Sequence, residues 1–84
     1  MFTTYILYSV FLDTFYIGYT GDDVGTRLAK HLANHSGFTA KAKDWKVVYT
    51  QKFGTKTEAM AKEKEMKSWK NKKRIQAMIK TQRE

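Results

Sequence analysis

The N-terminal part of the chain carries the residue pattern of a β-hairpin. Residues 3–10 (TTYILYSV) are mostly β-branched or aromatic, and the same composition resumes in residues 15–20 (FYIGYT). A single strong turn former, Asp13, separates the two runs. We therefore expect two antiparallel strands joined by a two-residue loop at Leu12 and Asp13.

This loop length decides which side chains share a face of the hairpin. With a two-residue loop, Tyr5 lies on the same face as Tyr16 and Gly18. The opposite face then carries Ile6, Tyr8, Phe15, Ile17 and Tyr19. A loop one residue longer or shorter would reverse the relation, so the shared face is a prediction for the structure to test.

A helix is predicted over residues 20–35 (TGDDVGTRLAKHLANH). Thr20 or Asp22 can cap it, and aspartates in the first turn suit the positive end of a helix. Its apolar ridge, at four-residue spacing, is Val24, Leu28 and Leu32.

The remaining chain predicts one strand and two helices. WKVVYTQKF, residues 45–53, alternates as a third strand does. Thr55 and Glu58 have capping-box spacing and open a helix that runs to about Lys67. A last helix follows over residues 71–82, with an inward face of Ile75, Met78 and Ile79. The order β-β-α-β-α-α predicts a small α+β domain over residues 1–84.

Composition adds a polyanionic partner to this picture. The chain has a net charge of +8, and residues 60–84 hold nine Lys or Arg against three Glu. A small basic domain of this kind usually binds nucleic acid, although a merely solvated helix face or an anionic membrane surface remains an alternative. Cysteine is absent, which fits a reducing cytoplasm, and no apolar run reaches the roughly 18 residues of a membrane span.

One carboxylate lies where a solvated face does not explain it. Glu63 is three residues from both Met60 and Met66, which places it on or beside the apolar stripe of its helix. A carboxylate there needs a cation. The cation is either a metal ion or the side chain of Lys67, four residues further on.

Four motifs in order give the chain a family resemblance. TTYIL contains Tyr5, residues 16–18 read YIG, RLAKH holds Arg27 and His31 four residues apart, and EAMAKEKEMKSW contains Glu63. With these motifs the chain resembles the GIY-YIG nuclease superfamily, in particular its small stand-alone bacterial members. The resemblance covers nearly the whole chain and implies a three-stranded antiparallel sheet flanked by helices.

The same resemblance implies metal-dependent cleavage of DNA, in repair or processing. Glu63 would be the only protein ligand to Mg²⁺ or Mn²⁺, and Arg27 would bind a phosphate oxygen. Tyr16 would act as general base or position the water, Tyr5 would orient water or phosphate, and His31 would hydrogen-bond Tyr16. A non-catalytic nucleic-acid-binding module on the same scaffold is the alternative, and a monomer is the default expectation.

Two positions of the sequence depart from the family pattern. Thr3 stands where the first motif has glycine, and Asn71 does not clearly reproduce the asparagine that supports the site in relatives.

Trp45 and Trp69 are expected in or beside the core rather than as base-stacking platforms. The predicted contacts to DNA (or RNA) backbone are Lys41, Lys43, Lys67, Lys70, Lys72, Lys73 and Arg74.

Overall fold

The computed structural model describes residues 1–33, 41–69 and 72–83. Its elements follow the order β-β-α-β-α-α, which confirms the predicted α+β class and the three-stranded antiparallel sheet. They are β1 (Phe2–Ser9), β2 (Thr14–Thr20), α1 (Val24–Ala33), β3 (Lys46–Phe53), α2 (Lys56–Lys67) and α3 (Lys72–Arg83). Within these ranges, no helix is both long and apolar enough to cross a bilayer.

β1 is the central strand, with β2 and β3 paired antiparallel on either side. Tyr5 pairs with Gly18 and Leu7 pairs with Tyr16, so the predicted shared face of the hairpin is confirmed. The predicted loop length is wrong: Ser9 pairs with Thr14, and the loop holds residues 10–13. Because the loop differs from the prediction by an even number of residues, the faces are unchanged.

The longer loop is a product of local hydrogen bonding. Asp13 has a φ of 49°, a left-handed conformation that aspartate tolerates better than most residues. Its N–H donates to the Val10 carbonyl at 3.2 Å, and its carboxylate accepts the Tyr8 hydroxyl at 2.5 Å. Asp13 was recognised as the turn former, but these bonds close a wider turn than its position alone suggested.

Each face of the sheet has its own apolar core. One face packs on α2 and α3 through Ile6, Ile17, Tyr49, Met66, Ile75 and Ile79, with Met78 and Trp69 beside them. This confirms the predicted inward face of α3. The other face packs on α1 and residues 42–45 through Tyr5, Leu7, Ala42 and Trp45, joined by the predicted ridge of Val24, Leu28 and Leu32. The protein is therefore a helix, sheet and helix-pair sandwich with β1 buried at its centre.

The α1 cap differs from the prediction. Asp23, rather than Thr20 or Asp22, precedes the first turn, and its carboxylate accepts the Thr26 N–H at 3.2 Å. Thr20 instead accepts the Asp22 N–H at 3.0 Å. No acidic residue lies within the first turn of α1, so the expected aspartates act just outside it.

The α2 start confirms the predicted capping pair. The Thr55 hydroxyl accepts the Glu58 N–H at 3.2 Å and donates to the Glu58 carboxylate at 3.0 Å. One turn further, the Ala59 carbonyl accepts the buried Thr4 hydroxyl at 2.8 Å. These contacts fix α2 against β1, and α2 is the helix that carries Glu63.

Candidate active site

Tyr5 and Tyr16 meet above Gly18 on the α1 face of the sheet. A Cβ atom built on Gly18 would lie 2.7 Å from the Tyr5 hydroxyl oxygen and 3.3 Å from Tyr16 Cε1. Only a glycine leaves this space, since real Cβ contacts below 3.0 Å essentially do not occur. The YIG motif therefore has a steric meaning, because its glycine makes room for the Tyr5 hydroxyl on the neighbouring strand.

The ring of Tyr16 is supported from the loop that precedes β3. Trp45 is buried and meets Tyr16 edge to face, with ring centroids 6.4 Å apart and an interplanar angle of 69°. This contact is of the kind that orients aromatic side chains. Trp45 thus lies in the core as predicted, and it fixes one wall of the candidate site.

Arg27 reaches the tyrosines from α1. Its guanidinium is in hydrogen-bonding contact with the Tyr5 hydroxyl, a contact that raises the pKa of Arg27. Its Nε is buried and has no hydrogen-bond partner among the residues that the structure describes. A buried charged donor without a partner is costly unless an acceptor arrives. A phosphate oxygen is the acceptor that suits a guanidinium best.

Glu63 approaches from the other helix layer. Its side chain is only 16% exposed, and its Oε1 lies 3.8 Å from Lys67 Nζ. Its negative charge contributes to the raised pKa of Tyr5, so the carboxylate is within electrostatic range of the tyrosine hydroxyl. The ion pair expected from the spacing is therefore present, and among the candidate residues Tyr5 is one whose pKa the Glu63 charge affects.

The pKa of Tyr5 defines what this hydroxyl can do. Burial raises it above the ordinary value, the Arg27 guanidinium opposes that rise, and the nearby charges of Tyr16 and Glu63 add to it. Tyr5 is 1% exposed. A tyrosine with a raised pKa keeps its proton at neutral pH, so the Tyr5 hydroxyl is suited to donating a hydrogen bond and poorly suited to accepting a proton.

A concave surface continues the site along the edge of β2. It has a volume of about 280 Å³ and is lined by Tyr16, Lys67 and Trp69 together with apolar core residues. Arg74 lies over the Trp69 ring at 4.1 Å from its centroid, and Lys62 lies 5.8 Å away. Trp69 packs beside the core as predicted. The predicted basic contacts Lys67 and Arg74 therefore border the same edge as Tyr16.

The number of possible ligands around Glu63 limits which metal ion could bind there. Over residues 1–33, 41–69 and 72–83, no three His, Cys, Asp or Glu side chains form a ligand cluster. A single, mostly buried carboxylate with a long ion pair is compatible with Mg²⁺, which keeps several waters and shares phosphate oxygens. It does not suit a zinc site, which needs at least three protein ligands.

The remaining predicted site residues divide into two groups. Lys41, Lys43 and Lys73 are described and exposed, and Lys43 Nζ donates to the Leu32 carbonyl at 2.9 Å. Lys70 and Asn71, and the side chains of His31 and Lys72, lie outside what the structure describes. Their predicted roles remain predictions.

Comparison with known protein families identifies the family of the chain. Residues 1–76 match the GIY-YIG catalytic domain, which is most of the chain. The chain therefore belongs to the GIY-YIG family, whose members are generally nucleases acting on nucleic acid. Comparisons with curated proteins and with solved structures found no match.

The structure also explains one motif residue and draws attention to two residues outside the motifs. The spatial reason for Gly18 appears only once Tyr5 is seen opposite it, since a glycine in a strand can equally mark a bulge. The register shift seen in the described strands is elsewhere, between Ile6 and Leu7 in the pairing of β1 with β3. An exposed apolar pair in the hairpin loop, Val10 and Phe11, was visible in the sequence but received no role.

Proposed function

We propose that this protein is a divalent-metal-dependent endonuclease that hydrolyses DNA phosphodiester bonds in repair or processing. The observation that supports it most directly is the buried Nε of Arg27 next to Tyr5, which has no hydrogen-bond partner within the described part of the chain. Membership of the GIY-YIG family supplies the reaction class. The positive charge of the chain suits a phosphate backbone.

Each residue has a role in this proposal that follows from its surroundings. Arg27 binds a non-bridging phosphate oxygen and stabilises the charge that develops as water attacks. Tyr5, held protonated, donates to the phosphate or to the attacking water. Tyr16 would hold the water in line, or would take its proton while passing its own hydroxyl proton on. The family resemblance, rather than the structure, gives His31 as the hydrogen-bond partner of Tyr16.

Glu63 would hold the metal ion as its one protein ligand. When bound, Mg²⁺ or Mn²⁺ supplies Lewis-acid stabilisation to the scissile phosphate and the departing 3′ oxygen. Lys67 would have to release Glu63 for this, and its 3.8 Å contact is long enough to be a weak pair. Ion affinity should therefore be low until DNA provides further oxygen ligands.

The test is DNA cleavage by purified protein with and without Mg²⁺ or Mn²⁺. Glu63→Gln and Arg27→Ala should each abolish cutting and leave the fold and most DNA affinity intact. Glu65→Gln is the matched control, since Glu65 lies on the same helix, is half exposed and pairs with Lys62 at 3.1 Å. Cleavage that survives in both site variants would refute the assignment.

Nucleic-acid binding without cleavage is the second candidate. It is favoured by the Glu63–Lys67 pair, which satisfies the carboxylate without a metal. In that case the protein would bind branched, nicked and single-stranded substrates in a salt-sensitive way and cut none of them at any metal concentration. A metal titration of cleavage therefore separates the two.

A further inference from the structure

The tip of the β1–β2 hairpin presents two large apolar side chains to solvent. Val10 is 65% exposed and Phe11 is 78% exposed, while Leu12 on the same loop packs against the core. A lone exposed apolar residue needs no explanation. An adjacent pair at the end of a hairpin, one of them aromatic, is a contact surface of a form that proteins use against other molecules.

The backbone of this tip is held in place from the segment before β3. Asp44 accepts the Ser9 hydroxyl at 2.6 Å with one carboxylate oxygen and the Phe11 N–H at 2.8 Å with the other. The Ser9 hydroxyl in turn accepts the Leu12 N–H at 3.1 Å, and Ser9 is fully buried. Phe11 is therefore displayed by an organised turn, which lowers the entropy cost of using it in binding.

The surroundings of Phe11 indicate the chemistry of the partner. A shallow pocket with a volume of about 530 Å³ is lined by Phe11, Lys41, Ala42, Lys43 and Asp44. It thus combines an exposed aromatic ring with two lysines. A nucleotide offers the complement of both, because its base stacks on aromatic rings and its phosphate attracts ammonium groups.

We propose that Phe11 stacks on an unpaired nucleobase of the bound DNA or RNA, with Lys41 and Lys43 near the adjoining phosphates. The inference rests on the proposed function, which makes nucleic acid the substrate. It adds that this substrate contains an unpaired base. Phe11 lies about 15–20 Å from Tyr5 along the strand and turn. The preferred substrate therefore has a single-stranded or distorted segment beside the cut.

Equilibrium binding without divalent metal tests this inference, since no cleavage is possible there. For a single-stranded oligonucleotide, Phe11→Ala and Phe11→Leu should each weaken binding about 5- to 100-fold. Phe11→Trp should bind like the wild type, because it keeps a stacking ring. Val10→Ala is the matched control and should change affinity little. The affinity for a fully paired duplex should fall less in the Phe11 variants, since the bases of a duplex are already stacked on one another.

A fluorescent base analogue placed along the oligonucleotide locates the contact. Its fluorescence should be quenched at one position by wild type and by Phe11→Trp, and not by Phe11→Leu. The inference is overturned if Phe11→Leu binds as tightly as wild type. It is also overturned if Phe11→Ala leaves nucleic-acid binding intact and instead abolishes binding to anionic phosphatidylglycerol vesicles.

Failure of the proposed function gives a different result. If Phe11-dependent binding is found but no substrate is cut, the nuclease assignment fails and the stacking contact stands. If the wild-type protein binds no nucleic acid, both fail. Circular dichroism of the Phe11 variants should match wild type, because the side chain is exposed and contributes little to the core.

Discussion

The Tyr5 hydroxyl fills the space above Gly18, 2.7 Å from the position of a Cβ atom on that glycine. Gly18 is the cross-strand partner of Tyr5 in the β1–β2 ladder. Backbone pairing and side-chain packing thus specify the same two positions. The arrangement brings the Tyr5 hydroxyl into contact with the Arg27 guanidinium and places the Tyr16 ring over the same glycine.

Gly18→Ala should therefore damage both the fold and the site. The added methyl displaces Tyr5, and overpacking of this kind costs about 1–3 kcal/mol. Denaturant unfolding measures the loss, and cleavage should fall with it as Tyr5 leaves Arg27. Gly54→Ala is the control, since its new Cβ would meet only Glu58 Oε1 at 4.0 Å. Wild-type stability and activity in Gly18→Ala would contradict this packing.

The raised pKa of Tyr5 predicts an alkaline stability effect. Because burial favours the protonated phenol in the folded state, Tyr5 contributes stability at pH values below about 10. That contribution is lost as the pH rises through the higher folded-state value. Phenolate absorbance titration should show late-ionising tyrosines, since the hydrogen bond to Asp13 raises the pKa of Tyr8 as well, and Tyr5→Phe should remove one of them. A titration in which Tyr5 ionises at or below the ordinary value would refute the donor role.

The sequence predicted the elements and the shared face of the hairpin because these depend on local pattern. The β-branched and aromatic composition of β1 and β2 and the Thr55 capping pair act over a few residues. Loop length was not predictable in the same way. Asp13 was identified as a turn former, but the four-residue turn depends on its bonds to Val10 and Tyr8.

The candidate site was predictable only in part, since its geometry is long-range. Motif resemblance selected Tyr5, Arg27 and Glu63, but the distances between them depend on how α1 and α2 cover opposite faces of one sheet. The hydrogen bond from the Ser9 hydroxyl to Asp44 joins residues that are 35 positions apart, so no local sequence pattern predicts it. Tertiary packing decides such contacts.

Thr55→Ala should destabilise the helix that carries Glu63. The hydroxyl accepts the Glu58 N–H at the α2 N-terminus, and loss of such a cap costs about 1 kcal/mol. Thr57→Ala, in the exposed first turn of the same helix, is the control and should be neutral or slightly stabilising. Thermal unfolding of both variants makes the comparison. Equal melting temperatures would show that the cap does not stabilise α2.

Lys67→Ala should have two effects that are measured separately. If the wild-type protein neutralises about five phosphates, the log-log slope of affinity against salt concentration is about −4 to −5. Loss of one phosphate contact should make this slope shallower by about one. Removal of the 3.8 Å partner of Glu63 should also lower the metal concentration needed for half-maximal cleavage. Lys64→Ala, an exposed lysine on the same helix, is the control. An unchanged slope would remove Lys67 from the nucleic-acid interface.

The hairpin tip should loosen in acid because of Asp44. Hydrogen bonds from Ser9 and from the Phe11 N–H lower the pKa of this carboxyl below its ordinary value of 3.8. Asp44 therefore stabilises the folded tip above that pH, and the stabilisation is lost as the pH falls through the lower folded-state value. The Phe11 amide resonance, followed by NMR, should move with that same low midpoint and its hydrogen exchange should accelerate below it. Asp44→Asn should show no such midpoint in the resonance or in the exchange protection of this amide, since it has no proton to gain. A Phe11 amide that is insensitive to pH in the wild-type protein would mean that Asp44 does not hold the tip.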